Sequence, residues 1–323
     1  MLRRIAIFLI LFLPVFTVVS QQLPLYSQYM MNGFMLNAAM AGYDGFTAVN
    51  LTTRQQWLGI ENAPRTVSMS LQTRILKRGW QIKTKPLRKN KFIPATSGRV
   101  GVGLIVFSDR NGAFTQTGIT TSYAYHIPFP NSQLSFGISG SLSQYKIDIT
   151  DIEFRNYDPK SLVLAAPFYV PDANAGIFYI HKDLYAGLSI AQLLQSAVKI
   201  GNPGLENFHA PRSYIILAGY RITQRTDLSY EPSILIKTTE QLLPQVDFSL
   251  KATYYDNYWF GFSYRTTNTV ICLLGIKKNR LYIGYAFDYS FNTFQRYTFG
   301  SHEVNLALKF GDSAKRYKWL NRY

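Results

Sequence analysis

The residues able to do chemistry are few and scattered. His126, His181, His209 and His302 are the only histidines in the 323-residue chain. None has a second metal ligand at helical or hairpin spacing. There is no Gly-x-Ser-x-Gly elbow and no phosphate-cradling glycine loop. Asp148, Asp151 and Glu153 make one small acidic group, but the spacing and the glycine of an EF-hand loop are missing. Cys272 is the sole cysteine, which excludes an intrachain disulfide framework and a cysteine-rich zinc site. It lies in the apolar run Thr-Val-Ile-Cys-Leu-Leu-Gly, a context for packing rather than reaction. His302-Glu303 is the one acid–base pair at a strand end, and no nucleophile accompanies it. The expectation is a protein without catalytic residues, cofactor or metal.

The elements that would carry these residues are strands. Charged residues make up only 16% of the chain, well under the roughly 25% of ordinary soluble domains. Aromatics reach 15%, which argues against disorder. A formal charge of +16 would suggest nucleic acid for a cytoplasmic protein. The N-terminus points elsewhere. Arg3 and Arg4 precede an apolar run from Ile5 to Val19, and Val18 and Ser20 suit a cleavage site before Gln21. Residues 1–20 therefore read as a cleaved signal peptide, and nucleic acid is not an expected partner. No later apolar stretch reaches 18 residues, so a membrane could be crossed only by strands.

Alternation at period two runs through the body. Val246-Asp-Phe-Ser-Leu-Lys-Ala-Thr253 and Leu281-Tyr-Ile-Gly-Tyr-Ala-Phe-Asp-Tyr289 are two examples. One set of positions is aliphatic or aromatic and the other is small or polar, as lipid outside and a polar interior demand. Such segments fall near 46–58, 65–75, 98–108, 113–126, 132–146, 171–181, 183–191, 212–222, 226–237, 244–254, 257–266, 269–277, 280–290 and 301–310. About fourteen antiparallel strands, an even number, predict an all-β, transmembrane outer-membrane barrel over 46–310 with both termini in the periplasm. From the fourth strand on, tight turns alternate with longer links at 147–170, 192–211, 238–243 and 291–300. A secreted β-sandwich also has short alternating strands, but its polar face would carry Lys and Glu rather than Ser, Gly and Thr. Tyr254, Tyr255, Tyr258, Trp259, Tyr285, Tyr289 and Phe291 lie near strand ends, where interfacial girdles are found.

Three segments depart from this pattern. Residues 21–45 hold four of the six methionines and read as a short periplasmic helix that plugs or lids the barrel mouth, or as a partly ordered arm. The link 76–97 carries Lys77, Arg78, Lys83, Lys85, Arg88, Lys89 and Lys91 without an acid. The tail 311–323 adds Lys315, Arg316, Lys318 and Arg322. The two basic pieces should share the periplasmic face, where they would attract an acidic protein partner or the phosphates of membrane lipid and lipopolysaccharide. Simple solvation of the rim is the alternative. Asp247, Lys251, Glu231 and Asp288 fall on polar strand faces and are expected to pair across the lumen.

Tyr26-Ser-Gln-Tyr-Met-Met-Asn-Gly-Phe-Met-Leu-Asn-Ala-Ala-Met-Ala-Gly42 and Arg54-Gln-Gln-Trp-Leu-Gly-Ile-Glu-Asn-Ala-Pro-Arg-Thr66 resemble the opening signature of the PorP/SprF proteins. Gly101–Asp109, Trp259–Arg265, Leu281–Tyr289 and Gly300-Ser-His-Glu-Val304 continue the likeness in order. Two departures stand out. The family usually reads Asn-Pro-Ala-Tyr-Ala-Gly where this chain has Asn37-Ala-Ala-Met-Ala-Gly42, and Phe310 is followed by further residues. The resemblance implies an outer-membrane component of the type IX secretion and gliding machinery of Bacteroidetes. It implies as partners either periplasmic ring components such as its lipoprotein, or the C-terminal domain of a secreted adhesin. Arg54, Trp57, Gly59, Pro64 and Arg65 are the expected interface, together with Lys83, Lys85, Arg88, Lys89, Lys91, Lys315, Arg316 and Lys318. A packed strand–loop–strand corner at 54–65 is the structural alternative. A surface barrel anchoring an adhesin through 147–170 and 192–211, or a channel for small apolar compounds with 21–45 as its hatch, remain as rival functions.

Overall fold

The computed structural model describes residues 26–75, 99–148, 167–195, 200, 210–223, 227–240 and 242–311. The expected signal peptide and both basic segments lie outside them, as do Asp151, Glu153 and most of 147–170 and 192–211. Along β2 (Arg65–Ile75), Thr66, Ser68, Ser70, Gln72 and Arg74 are buried, while Met69, Leu71 and Ile75 are exposed. Polar inside and apolar outside is the reverse of a soluble protein, and it identifies a strand with lipid on one face. β1 (Thr47–Gln55) and β12 (Tyr258–Arg265) repeat it.

The remaining strands are β3 (Val100–Asn111), β4 (Phe114–Pro128), β5 (Ser132–Ile147), β6 (Phe168–His181), β7 (Leu184–Ala191) and β8 (Ser213–Tyr220). They continue with β9 (Ile222–Thr223), β10 (Leu228–Thr239), β11 (Leu242–Tyr254), β13 (Thr269–Lys278), β14 (Leu281–Ser290) and β15 (Ser301–Phe310). β8 and β9 both pair with β10 on either side of Arg221 and form one stave. The fifteen segments thus make fourteen staves, as the alternation predicted. Every neighbouring pair is antiparallel, and β1 pairs with β15 from Thr47↔Phe310 to Gln55↔His302. That pairing closes the barrel and leaves no sheet edge unsatisfied. Among the described residues no helix is long and apolar enough to cross a membrane.

Two expectations change. The 238–243 link is a tight hairpin, because β10 runs to Thr239 and β11 resumes at Leu242. A register shift between Lys237 and Thr239 hides that continuation from a strict period-two reading. The charges do not pair across the lumen either. Glu231 and Lys251 are direct cross-strand partners on β10 and β11 (2.9 Å), as are Asp247 and Arg265 on β11 and β12 (2.9 Å). They neutralise one another along the wall.

Part of the lumen is occupied by chain instead, with cavities left on its flanks. Residues 26–45 enter the lumen as a plug built on two short 3-10 turns, Gly33–Met35 and Ala38–Met40, where the sequence suggested one short helix. Tyr29, Phe34, Ala39, Met40 and Ala41 pack against Ile105, Phe178, Ile180, Tyr185, Leu217 and Leu235 of the wall. The interior is therefore partly apolar, where the alternation had suggested a polar one. Trp259 also points inward, buried over Gly275, rather than into a lipid-facing girdle. Tyr254, Tyr255, Tyr258, Tyr289 and Phe291 are exposed.

Candidate functional site

The plug is held at three levels. At the end where β1 starts and β15 stops, Asp44 Oδ2 accepts from Lys309 Nζ (3.0 Å), and the Tyr43 carbonyl accepts from Gln133 Nε2 (3.2 Å). His126 Nε2 donates to the Ala41 carbonyl (3.0 Å), and its Nδ1 accepts from Ser135 Oγ (2.8 Å). At mid-height Asn37 Nδ2 donates to the Ile177 and Leu188 carbonyls (3.0 and 3.2 Å), while its Oδ1 caps the Ala39 N–H (2.9 Å). Gly137 faces this turn so closely that any Cβ would collide with the Ala38–Ala39 backbone, and Gly101 meets the Ala41 carbonyl in the same way. These wall positions are glycine because plug backbone lies on them.

The third level, toward the far end, is ionic. Arg54 Nη2 lies 2.7 Å from Asp288 Oδ2 and its Nη1 lies 3.1 Å from Glu303 Oε2, with all three side chains buried. The start of the plug completes the node. The Ser27 and Gln28 N–H groups donate to the two Glu303 oxygens (2.7 and 2.9 Å), and Ser27 Oγ donates to Asp288 Oδ2 (2.7 Å). Buried charges persist only where each is paired and hydrogen-bonded, and here the plug backbone supplies part of the pairing.

The five residues expected at the 54–65 interface differ in exposure. Arg54 and Pro64 are buried, Trp57 is half-buried, and Gly59 and Arg65 are exposed. Arg54 serves the plug, so its side chain does not reach an external partner in this arrangement. Trp57 N–H donates to Ser301 Oγ (3.2 Å), Leu58 N–H to the Gly300 carbonyl (2.8 Å), and Phe299 N–H to the Leu58 carbonyl (2.8 Å). Gly59 takes a left-handed φ of +102°, and a Cβ there would lie 3.1 Å from the Phe299 ring. Gly59→Val should therefore cost about 1–3 kcal/mol through backbone strain, read as faster hydrogen exchange across 56–64.

The Gln-Trp-x-Gly and Gly-Ser-His-Glu pieces, far apart in sequence, thus meet across the β1–β15 seam. Ser301 and Glu303 face inward, whereas His302 bridges Tyr285 Oη (2.7 Å) and the Phe299 carbonyl (3.2 Å). Sequence reasoning missed Ser27, Gln28 and Asn37 as anchors. Their side chains carry no charge, so no pattern marks them. Lys83, Lys85, Arg88, Lys89, Lys91, Lys315, Arg316 and Lys318 lie outside the described residues.

The absent proline has a structural counterpart. Ala38 opens the second 3-10 turn behind an extended Asn37 (ψ 116°), a position that suits proline. Ala38→Pro should preserve the plug and stabilise the protein by about 0.4–1 kcal/mol, visible as a higher Tm.

A lipid-facing barrel with its own N-terminal segment packed in the lumen defines a plugged membrane β-barrel. The chain belongs to the type IX secretion system membrane protein PorP/SprF family, whose model matches residues 18–308. No curated protein matches it. Among solved structures it is similar to the toluene transporter TbuX of Ralstonia pickettii, with 11% identity, 86% of this chain and 92% of that one covered, and a TM-score of 0.48. It is also similar to a deletion mutant of the monoaromatic hydrocarbon channel TodX, with 9% identity, 87% and 94% covered, and a TM-score of 0.47. CdiB from Acinetobacter baumannii shares 6% identity over 82% of this chain and 60% of its own, with a TM-score of 0.42.

Proposed function

We propose that this chain is exported with a cleaved signal peptide to the outer membrane. There it binds and scaffolds other parts of the type IX secretion and gliding machinery, without enzymatic activity or cofactor. The observation that carries the proposal is the seated plug. A lumen occupied by chain, with its charges paired to that chain or to one another along the wall, leaves the rims and outer surface for partners.

β2 and β15 both pair with β1, so Ile75 and Phe310 stand two strand spacings apart, about 10 Å. The sequences that follow them, 76–98 and 311–323, are therefore rooted on one arc of the rim where β1 starts and β15 stops. That rim is the periplasmic one by the usual rule for bacterial barrels. A periplasmic ring component with an acidic surface suits this arc best. A secreted adhesin's C-terminal domain would instead use the far end, and lipid phosphates are the competing ligand of the basic segments.

The test is a gentle-detergent pulldown of tagged protein from native outer membranes, with and without 77–91 and 312–323. Ring lipoproteins should be recovered with the intact chain and lost with the double deletion. Recovery of a single large surface protein would transfer the role to adhesin anchoring. In planar bilayers the intact barrel should show no steady conductance, and an open pore would favour transport.

A further inference from the structure

On one flank of the plug lies a cavity of about 180 Å³, at the end where β1 starts and β15 stops. Met30, Met31 and Met40 of the plug make its apolar side with Phe178, Leu217 and Trp259 of the wall. Met30 and Met31 are only half-buried, although they lie inside the barrel. Their flexible thioether side chains suit an adaptable binding surface.

The polar side is cationic. Arg221, Lys251, Lys277 and Lys309 line it, against Glu231 and, in the exposed turn between β11 and β12, Asp256. Glu231 pairs with both Lys251 (2.9 Å) and Arg221 (3.4 Å), and Asp44 holds Lys309 (3.0 Å). Counting Asp44, four cations meet three carboxylates, which leaves one positive charge. The neighbouring turns bring Lys182, Lys278 and Arg280 against Asp183 and Asp227, so they do not cancel it.

The surplus falls on Lys277. Among the described residues no carboxylate lies within ion-pairing distance of its ammonium, which sits 5.4 Å from the centre of the Tyr282 ring. Lys309 Nζ lies at the same distance from that ring, and Trp259 packs beside it with centroids 6.4 Å apart. Strand pairing brings these groups together. Lys277 is opposite Tyr282 on β13 and β14, Tyr282 is opposite Ala307 on β14 and β15, and Trp259 is opposite Gly275 on β12 and β13. A ring face holds an ammonium more weakly than a carboxylate does.

We propose that this cavity binds a small organic monoanion, a carboxylate on an apolar body. Lys277 takes the carboxylate beside Tyr282, and the body lies between Trp259 and the plug methionines. An apolar lining with a few convergent polar groups is the usual construction of a small-molecule site. One surplus charge suits a carboxylate better than a phosphate dianion. Because one wall of the site is the plug, occupancy and plug seating strengthen each other. The inference does not depend on the secretion role.

The test is calorimetric titration of the protein purified from membranes into lipid nanodiscs, with empty nanodiscs as the blank. The probes are phenylbutyrate, its neutral analogue phenylbutanol and the cationic phenylbutylamine. Phenylbutyrate should bind saturably, about tenfold more tightly than the alcohol, and the amine should not bind. Lys277→Met should erase the preference for the carboxylate while the barrel keeps its heat-modifiable gel migration. Lys278→Met, at an exposed cation one position away, should leave the preference intact. If Lys277→Met does not fold, Met31→Glu tests the same cavity without altering a strand and should weaken phenylbutyrate binding at least about tenfold. No saturable binding beyond the blank would overturn the proposal. Equal affinity for carboxylate and alcohol would overturn the anionic assignment, and equal losses in the two lysine variants would overturn the site.

Discussion

Arg54→Met should abolish stable insertion of the barrel, or release its plug, while Arg65→Met should do neither. The two arginines bracket the same strand–loop–strand corner, and only their surroundings differ. Arg54 is buried between Asp288 and Glu303, whereas Arg65 is exposed. Removing the guanidinium leaves two carboxylates facing each other with the Ser27 hydroxyl and two backbone N–H groups as their remaining donors. Breaking a buried pair in this way costs about 3–5 kcal/mol, a large share of the 5–15 kcal/mol that holds a typical domain together. The measurement is the fraction of chain that migrates as a heat-modifiable barrel, with protease sensitivity of 26–45 as a second readout. A compensated variant, Arg54→Met with Glu303→Gln and Asp288→Asn, should recover much of the loss. Indifference to Arg54→Met would remove the ionic node from the account of the plug.

Gly137→Leu should open the barrel. Its inward face touches the Ala38–Ala39 backbone, which cannot step aside as a flexible side chain would. Overpacking of this kind costs about 1–3 kcal/mol even where neighbours can adjust, and here the cheapest relief is displacement of the plug. The expected result is a steady conductance in planar bilayers, against none expected for the parent. The turn at Ala38–Met40 should also lose protection from proteases. A control at Gly140, on the exposed outward face of the same strand, has open space around an added Cβ, and Gly140→Ala should leave conductance at the parental level. Blocked current through Gly137→Leu would show that the lumen stays closed without the fitted turn.

The strands were legible because lipid imposes a rule that a sequence can express. Thr66, Ser68, Ser70 and Gln72 alternating with Val67, Met69 and Leu71 leave few other structures open to that stretch. The barrel's closure was legible only as an even count. The plug's anchors were harder to foresee than the plug itself, since Gln28 and Asn37 act through amides and backbone bonds to residues more than a hundred positions away, and such pairings have no local period. The opposite error befell Arg54 and Trp259. A charged residue and a tryptophan near strand ends suggest a surface, and side-chain direction alone turns both inward. The hairpin at Glu240 was missed for a smaller reason, the bulge that displaces the alternation by one residue.

The ionic node also constrains the order of events during assembly. Ser27 and Gln28 are among the first described residues, yet their carboxylate partners come from β14 and β15, at sequence separations above 250. Contacts of such range are the slowest to form. The segment at Ser27–Gln28 therefore waits, unsatisfied, through the arrival of nearly every stave. Its anchoring coincides with the joining of the last strand to the first, so that a chain truncated before Asp288 would lack both the latch and the closure.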